Sequence, residues 1–312
     1  MPPPSPNCVV VLGPTASGKT ALAVRLAHAF GGEVVSADSR QVYRALDIGS
    51  GKDLDEYILD GSPVSYHLID IVNLDQEFSV FHYQQRFYET FEALQQSGIL
   101  PIVCGGTGLY LEAVLSNYRM VDVPENSALR EALAALSDEA LADRLRTAKP
   151  DQHNVTNLDD RARTIRAIEI AEYSRERPPP PAPPLDALVL GVRWERPALH
   201  RRIETRLKGR LDAGLIEEVS ELLKAGVASE RLHTLGLEYR FVTEFIEGKI
   251  KNKNDLHQKL AAAIRSFAKR QDTWFRRMER NGVHIHWIDQ GNYKEAHEYV
   301  AEALGVGHRR DA

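Results

Sequence analysis

The segment Gly13-Pro14-Thr15-Ala16-Ser17-Gly18-Lys19-Thr20 constrains this chain more than any other. It fits the pattern G-x-x-x-x-G-K-[ST]. It stands between a β-branched apolar run, Cys8–Leu12, and an Ala- and Leu-rich stretch over Lys19–Phe30 that reads as a helix. Strand, glycine loop and helix in that order make a phosphate-binding loop. The glycines let backbone N–H groups curl around phosphate oxygens, the helix N-terminus adds a favourable dipole, and a lysine adds a point charge. Here the lysine is Lys19, and Thr20 carries the hydroxyl that such loops offer to Mg²⁺. The motif reports a polyphosphate without saying whether that polyphosphate is a nucleotide.

Further short buried strands are expected at Glu33–Asp38, Tyr66–Val72 and Pro101–Cys104, and a helix at Ser79–Gln96 stopped by Gly98. Short buried strands alternating with helices predict an α/β fold, a P-loop NTPase-like parallel sheet flanked by helices. The pattern changes after Ser116. Asn126–Lys149 and Asp159–Arg175 read as amphipathic helices with no strand between them. Pro178–Pro184, with six prolines in seven residues, reads as an extended linker. Leu185–Val192 returns to the buried-strand pattern, and Pro197–Met278 is mostly helical. The expected organisation is a first part of the P-loop core over 1–116, a helical insertion domain over 117–184, and core completion with a helical C-terminal part over 185–312.

No run in the 312 residues approaches the roughly 20 apolar residues of a membrane-spanning helix. The opening MPPPSPNC lacks the basic region of a secretory signal. Cys8 and Cys104 sit in apolar runs and read as reduced core thiols. These features predict a cytoplasmic protein with no membrane partner. The net charge of −5 excludes a global basic field, so any nucleic-acid surface must be local. Positive charge does cluster, over Arg193–Arg210 and again over Arg265–Arg280. Either cluster is a solvated helix face or a surface for phosphates.

Ligands of doubly wound sheets gather at strand carboxyl ends. Two such ends besides the P-loop carry polar residues: Ser36–Tyr43 (SADSRQVY) and Gly105–Tyr110 (GGTGLY). Asp38 leaves a buried strand near the expected phosphates, where many P-loop enzymes keep a carboxylate behind a magnesium ion. With Asp47–Lys52 (DIGSGK) and Ala268–Arg277 (AKRQDTWFRR), these stretches resemble the tRNA dimethylallyltransferase family, also called isopentenyl-diphosphate:tRNA transferases. The motifs follow the family's order from about Val9 to Trp287, and Asp159–Glu169 resembles the family's helical-insertion motif.

The resemblance implies transfer of a dimethylallyl group from dimethylallyl diphosphate to the exocyclic amine of the adenosine 3′ of the tRNA anticodon. It implies Mg²⁺ as cofactor and a monomer. Gly13, Pro14, Thr15, Ala16, Ser17, Gly18, Lys19 and Thr20 would cradle the diphosphate as a leaving group, with Thr20 on the metal. Lys19 and Thr107 would join Asp38, the implied general base, in catalysis. Ser39, Arg40 and Gln41 match the stretch that touches tRNA beside Asp38, Thr107 matches a substrate-contacting position, and Arg130 matches a tRNA-contacting arginine at the start of the insertion. Plainer roles stand beside these: Thr107 as a helix cap, Arg130 as a solvated helix residue, Trp274 and Phe275 as core.

One departure is clear. The family's usual G-Y-[KR] step is Gly236-Leu237-Glu238-Tyr239-Arg240 here, which puts Glu238 where glycine is expected. Such a carboxylate could narrow the channel or change tRNA preference. A small-molecule or nucleotide kinase, an adenylate prenyltransferase and a non-catalytic tRNA-binding paralogue are the rival readings.

Overall fold

A computed structural model describes residues 5–148, 160–176 and 181–306. In chain order the elements are β1 (Cys8–Leu12), α1 (Lys19–Phe30), β2 (Gly32–Ala37), the two-residue strands β3 (Ile58–Leu59), β4 (Ser62–Pro63) and β5 (Tyr66–His67), α2 (Val80–Gln96), β6 (Leu100–Gly105), α3 (Gly108–Leu115), α4 (Ser127–Ala134), α5 (Asp138–Ala148), α6 (Arg161–Glu176), β7 (Ala187–Arg193), α7 (Arg196–Asp212), α8 (Leu215–Lys224), α9 (Ser229–Thr234), α10 (Leu237–Ile246), α11 (Lys253–Arg280), β8 (His286–Asp289) and α12 (Tyr293–Ala303).

Six strands form one parallel sheet in the order β5-β2-β6-β1-β7-β8. β1 lies inside it, with Val10 facing Val103 of β6 on one side and Val189 of β7 on the other. All five β1 residues are buried, as a strand covered on both faces requires. Side-chain alternation divides them. Val10 and Leu12 join Tyr83 and Phe87 of α2, Leu111 of α3 and Phe275 of α11. Val9 and Val11 join Leu22, Leu26 and Ala27 of α1 and Val300 of α12. Cys8 and Cys104 are both buried free thiols.

The chain divides into one unit of Met1–Ser116 with Pro183–Ala312 and a second of Asn117–Ala182. In the second, α4, α5 and α6 share a small core of Leu133, Leu141, Leu145 and Ile168. The stretch from Asn126 onward, expected to be one helix, is two, broken between Ala134 and Asp138. Lys149, Asp159 and Pro178–Pro180 lie outside the described residues.

Tyr66–Val72 keeps the ladder only at Tyr66 and His67, paired with Val34 and Val35. Leu68 and Asp70 then take left-handed φ values of 61° and 56°, which turn the chain off the sheet. Its backbone bonds continue to the loop after β2, through Ile71 N to Val42 O at 2.9 Å. The buried Lys52 ammonium ties the two loops, pairing with Asp47 at 2.8 Å and with Asp70. The apolar run in the sequence therefore served a loop junction rather than a long edge strand.

Candidate active site

The carboxyl ends of β1, β2 and β6 open into one cavity of about 1120 Å³. That exceeds the roughly 300–1,000 Å³ of an ordinary small-molecule site. The P-loop leads directly from β1 into α1. Its backbone is bent hard: Ala16 has φ 62° and Gly18 has φ 87°. A non-glycine residue there stores strain that only surrounding contacts can hold. No side chain caps the α1 N-terminus and no acid occupies its first turn, so its dipole and leading amides are left for an anion. Ser17 Oγ is buried without a hydrogen-bond partner in the same loop.

Three side chains from distant sequence hold the loop. Gln271 of α11 accepts from Thr15 N and donates to Gly106 O, both at 2.8 Å, which fastens the P-loop to the GGTG turn. Trp194 donates from Nε1 to Ser17 O at 2.9 Å. Arg202 of α7 donates from Nε to Ala16 O at 2.7 Å. These contacts satisfy buried polar groups and fix the strained backbone at once.

Asp38 follows β2 and lines the cavity. Its Oδ1 accepts from Arg40 N at 2.8 Å, which orients the carboxylate. Thr107 stands at the N-cap position of α3 but makes no side-chain cap bond there. Its Oγ1 instead accepts from Ser39 N at 3.0 Å and so joins the second and third strand ends. Ser39 and Arg40 line the cavity with them. Gln41 also reaches the lining, but its amide is spent inside the protein, on Ser36 Oγ at 2.9 Å and Gly51 O at 3.0 Å. Arg130 belongs to the second unit, where it pairs with Glu125 at 2.7 Å and Glu169 at 3.0 Å. Burial pushes the Glu169 carboxyl upward, but Arg130, the Asn126 amide and Arg166 outweigh that and hold it below the usual range.

Lys19 lines the cavity with Nζ 3.5 Å from Pro14 O. Burial holds its ammonium below the ordinary lysine range, and Arg206 adds to that. An anion bound beside it would oppose both effects by stabilising the charged form. The Thr20 hydroxyl bonds the Cys104 thiol, whose own ionisation burial pushes up to about 12. Among the described residues no three His, Cys, Asp or Glu side chains gather as a metal site.

A second wall, joined to the P-loop through Arg202, is helical. Arg202, Arg206 and Arg210 recur every four residues along one face of α7 and line the cavity with Arg201. The basic cluster at 193–210 is thus largely part of the site wall. Arg206 pairs with Asp53 at 2.6 Å, and Arg210 reaches Asp53 at 3.7 Å and Glu238 at 3.4 Å. Burial raises the Asp53 carboxyl, but Arg206 and Arg210 prevail and hold it below the usual range. Burial and the Asp53 charge push Glu56 upward. Leu109, Phe267 and Trp274 supply an apolar part of the lining. Trp274 therefore lines the site, whereas Phe275 is core and fully buried.

This arrangement can bind a polyphosphate on the P-loop with arginines on the second wall, present a carboxylate beside it, and hold an apolar group or base ring against aromatic side chains. Sequence reasoning did not single out Gln271, Trp194 or the α7 arginines as site residues. The four-residue arginine spacing was the available signal for the last. Gln271 lies inside AKRQDTWFRR, where no local pattern marks a glutamine as a loop fastener.

Comparison with known proteins gives consistent similarities. The family model described as IPP transferase matches residues 41–278, and that for isopentenyl transferase matches residues 6–68. A tRNA dimethylallyltransferase 1 of Geotalea uraniireducens is 54% identical over 296 residues, 94% of this chain and 97% of its own length. A tRNA dimethylallyltransferase 2 of Syntrophotalea carbinolica is 58% identical over 285 residues, 91% of this chain and 94% of its own. The crystal structure of a Bacillus halodurans tRNA isopentenylpyrophosphate transferase superposes with a TM-score of 0.70 at 30% identity, covering 96% of this chain and 97% of that one. A eukaryotic dimethylallyltransferase acting on tRNA shares the fold at a TM-score of 0.75 and 21% identity, covering 97% of this chain and 78% of that one.

Proposed function

The chain belongs to the tRNA dimethylallyltransferase family of IPP transferases, and from that premise we propose that it transfers a dimethylallyl group from dimethylallyl diphosphate to the exocyclic amine of the adenosine 3′ of the anticodon. The observation that carries the chemistry is the meeting of Lys19, Asp38 and Thr107 on one cavity faced by the α7 arginines.

The P-loop holds the diphosphate as a leaving group, and no phosphoryl group moves. As the allylic carbon–oxygen bond breaks, negative charge grows on the leaving oxygen. Lys19, the uncapped α1 N-terminus, Arg202 and Arg206 stabilise it. The carbon end tolerates a loose transition state because an allylic cation is delocalised. The adenine amine is a poor nucleophile, its lone pair drawn into the ring. Asp38, oriented by the Arg40 amide, accepts its proton as the carbon–nitrogen bond forms. Thr107, held against Ser39, positions the amine between Asp38 and the donor. Ser39 and Arg40 contact the tRNA, and Arg130 serves the tRNA from the insertion. The target base must leave its stack to enter, which is least costly from an unpaired loop.

Mg²⁺ fits the donor set as a substrate-borne ion. Thr20 and Asp38 offer hard oxygens, and without a cluster of ligands among the described residues the remaining positions would fall to diphosphate oxygens and water. When bound, the ion neutralises diphosphate charge. The family resemblance supports reading it as a cytoplasmic monomer that works on the anticodon stem-loop.

The test is one incubation without ATP. It contains protein, Mg²⁺, labelled dimethylallyl diphosphate and tRNA lacking the modification, with the label then mapped by nuclease digestion. Label on a single anticodon-loop adenosine is expected. tRNA binding without transfer would make the chain a non-catalytic binder, and ATP consumption without transfer would make it a kinase.

A further inference from the structure

Glu238 stands where the family pattern expects glycine, and it does not stand alone. It opens α10 and accepts from Arg210 Nη1 at 3.4 Å. Arg210 also reaches Asp53 Oδ2 at 3.7 Å, and the same oxygen pairs with Arg206 Nη2 at 2.6 Å. The cluster therefore alternates in sign: Glu238, Arg210, Asp53, Arg206. Both guanidinium groups crowd over Gly51, whose φ of 66° and missing Cβ let them approach, since a Cβ there would run into each of them. Arg210 is about nine-tenths buried, and its Nε and Nη2 make no hydrogen bond.

This arrangement decides how much of the Arg206 charge reaches the cavity. With Arg210 present, Asp53 keeps its 2.6 Å contact to Arg206 and feels a second cation at 3.7 Å, which draws on its charge. Without Arg210, Asp53 would belong to Arg206 alone and quench it. Two like charges side by side also repel, and Glu238 offsets that cost by neutralising Arg210 from the far side. These four groups sum to zero net charge, with Glu56 beside Asp53 as a further acid acting on Arg206. Tyr239, next to Glu238, fixes the same region to the loop: its hydroxyl donates to Glu218 at 2.7 Å, and Glu218 accepts from Ile48 N at 2.6 Å.

We propose that Arg210 and Glu238 are a coupled pair of positioning residues that set the affinity of the P-loop site for the donor diphosphate, by sharing Asp53 away from Arg206. Neither residue need touch the substrate. The pair explains why a carboxylate is tolerated beside an anion site: it never faces the diphosphate uncompensated.

The inference rests on the diphosphate occupying the P-loop cavity. The probe is inorganic diphosphate, titrated calorimetrically into the full chain and its variants, with thermal melting as the folding control. A factor of ten is about 1.4 kcal/mol, the scale of a nearby charge in a partly solvated site. Arg210→Met should weaken diphosphate binding about tenfold. Glu238→Gln should tighten it severalfold, and the double variant should return close to wild type. Arg210→Lys, which keeps the charge, should lie nearer wild type than Arg210→Met. In turnover the same variants should move the KM for dimethylallyl diphosphate and leave the KM for tRNA in place. Opposite signs for the two single changes are the signature, because a pair that merely braced the fold would weaken binding whichever partner was lost. Equal weakening by both, or no effect of Arg210→Met, would overturn the proposal. Failure of the wild-type chain to bind diphosphate at all would instead overturn the P-loop reading beneath it.

Discussion

The two walls of the cavity are built from different materials. The P-loop wall is mostly backbone: a strained turn through Ala16 and Gly18, an uncapped helix end, and one lysine. The α7 wall is all side chain, with Arg202, Arg206 and Arg210 presented at helical spacing and tuned by Asp53 and Glu238. Backbone amides are pre-aimed and need no carboxylate to hold them. Long cations repel one another and need counter-charges, so their wall carries acids. One wall is specified within eight consecutive residues and the other by pairs far apart in the chain.

The largest expected effect tests the chemistry between the walls. Asp38→Ala should lower kcat by roughly 10²–10⁴-fold, the range for a lost general base, while tRNA affinity in a filter-binding assay stays near wild type. Loss of tRNA binding instead would make Asp38 a contact rather than a base. Lys19→Met should come next, costing on the order of 10²-fold in kcat/KM for the donor by removing the one mobile charge on the backbone wall. Kinetics unchanged within error would show that the arginine wall alone carries the diphosphate.

Gln271→Leu should loosen the bolt between the P-loop and the GGTG turn. It strands Thr15 N and Gly106 O, each worth about 1–3 kcal/mol when buried and unpaired. A lowered melting temperature with a reduced kcat is expected. A variant as stable and active as wild type would show that the strained loop holds itself.

The pH dependence sharpens the comparison further. The Lys19 pKa is depressed in the folded chain, so folding is penalised while the group is charged, and the penalty fades as pH rises from the depressed value to the ordinary lysine range. Diphosphate reverses the shift by supplying an anion. Its binding should take up a proton between the two values and weaken as pH rises through the lower one. Calorimetry in buffers of different ionisation heat would measure the uptake, and Lys19→Met should abolish the lysine's share of it.

The smallest effect concerns the long helix α11. Arg276 and Arg280 are exposed on α11, whereas Arg277 pairs with the buried Glu112 and stacks 4.1 Å from the Trp274 ring centroid. Neutralising Arg276 and Arg280 should weaken tRNA binding a few-fold and flatten its salt dependence by about one counterion per lost contact. An unaltered slope would move the tRNA surface elsewhere.

Much was legible in the sequence where the information is local. The P-loop, its flanking strand and helix, the carboxylate ending β2 and the return to the sheet at β7 each occupy one short segment with a distinctive pattern. Tyr66–Val72 misled because a short apolar run has no period that separates a strand from a loop packed under a sheet. Two left-handed residues, Leu68 and Asp70, made the difference. β8 and α12 close the described chain at the sheet's far edge, where β8 is four residues long with two of them half-buried and sends little signal.

The sequence by itself determined that the chain carries a phosphate-loop motif, that a sheet of parallel strands presents it, and that its motifs belong together in one enzyme family. Those properties follow from glycine, lysine and β-branched residues acting on their immediate neighbours. The tertiary structure decided which charges face the cavity. The cluster at 193–210 could equally have been a solvated face, and only the packing of α7 against Ala16 and α11 turned it inward. It also decided that Glu238 meets a cation. Electrostatic partnership depends on distance through space, and Arg210 is 28 positions from Glu238 in the chain yet 3.4 Å from it in the fold.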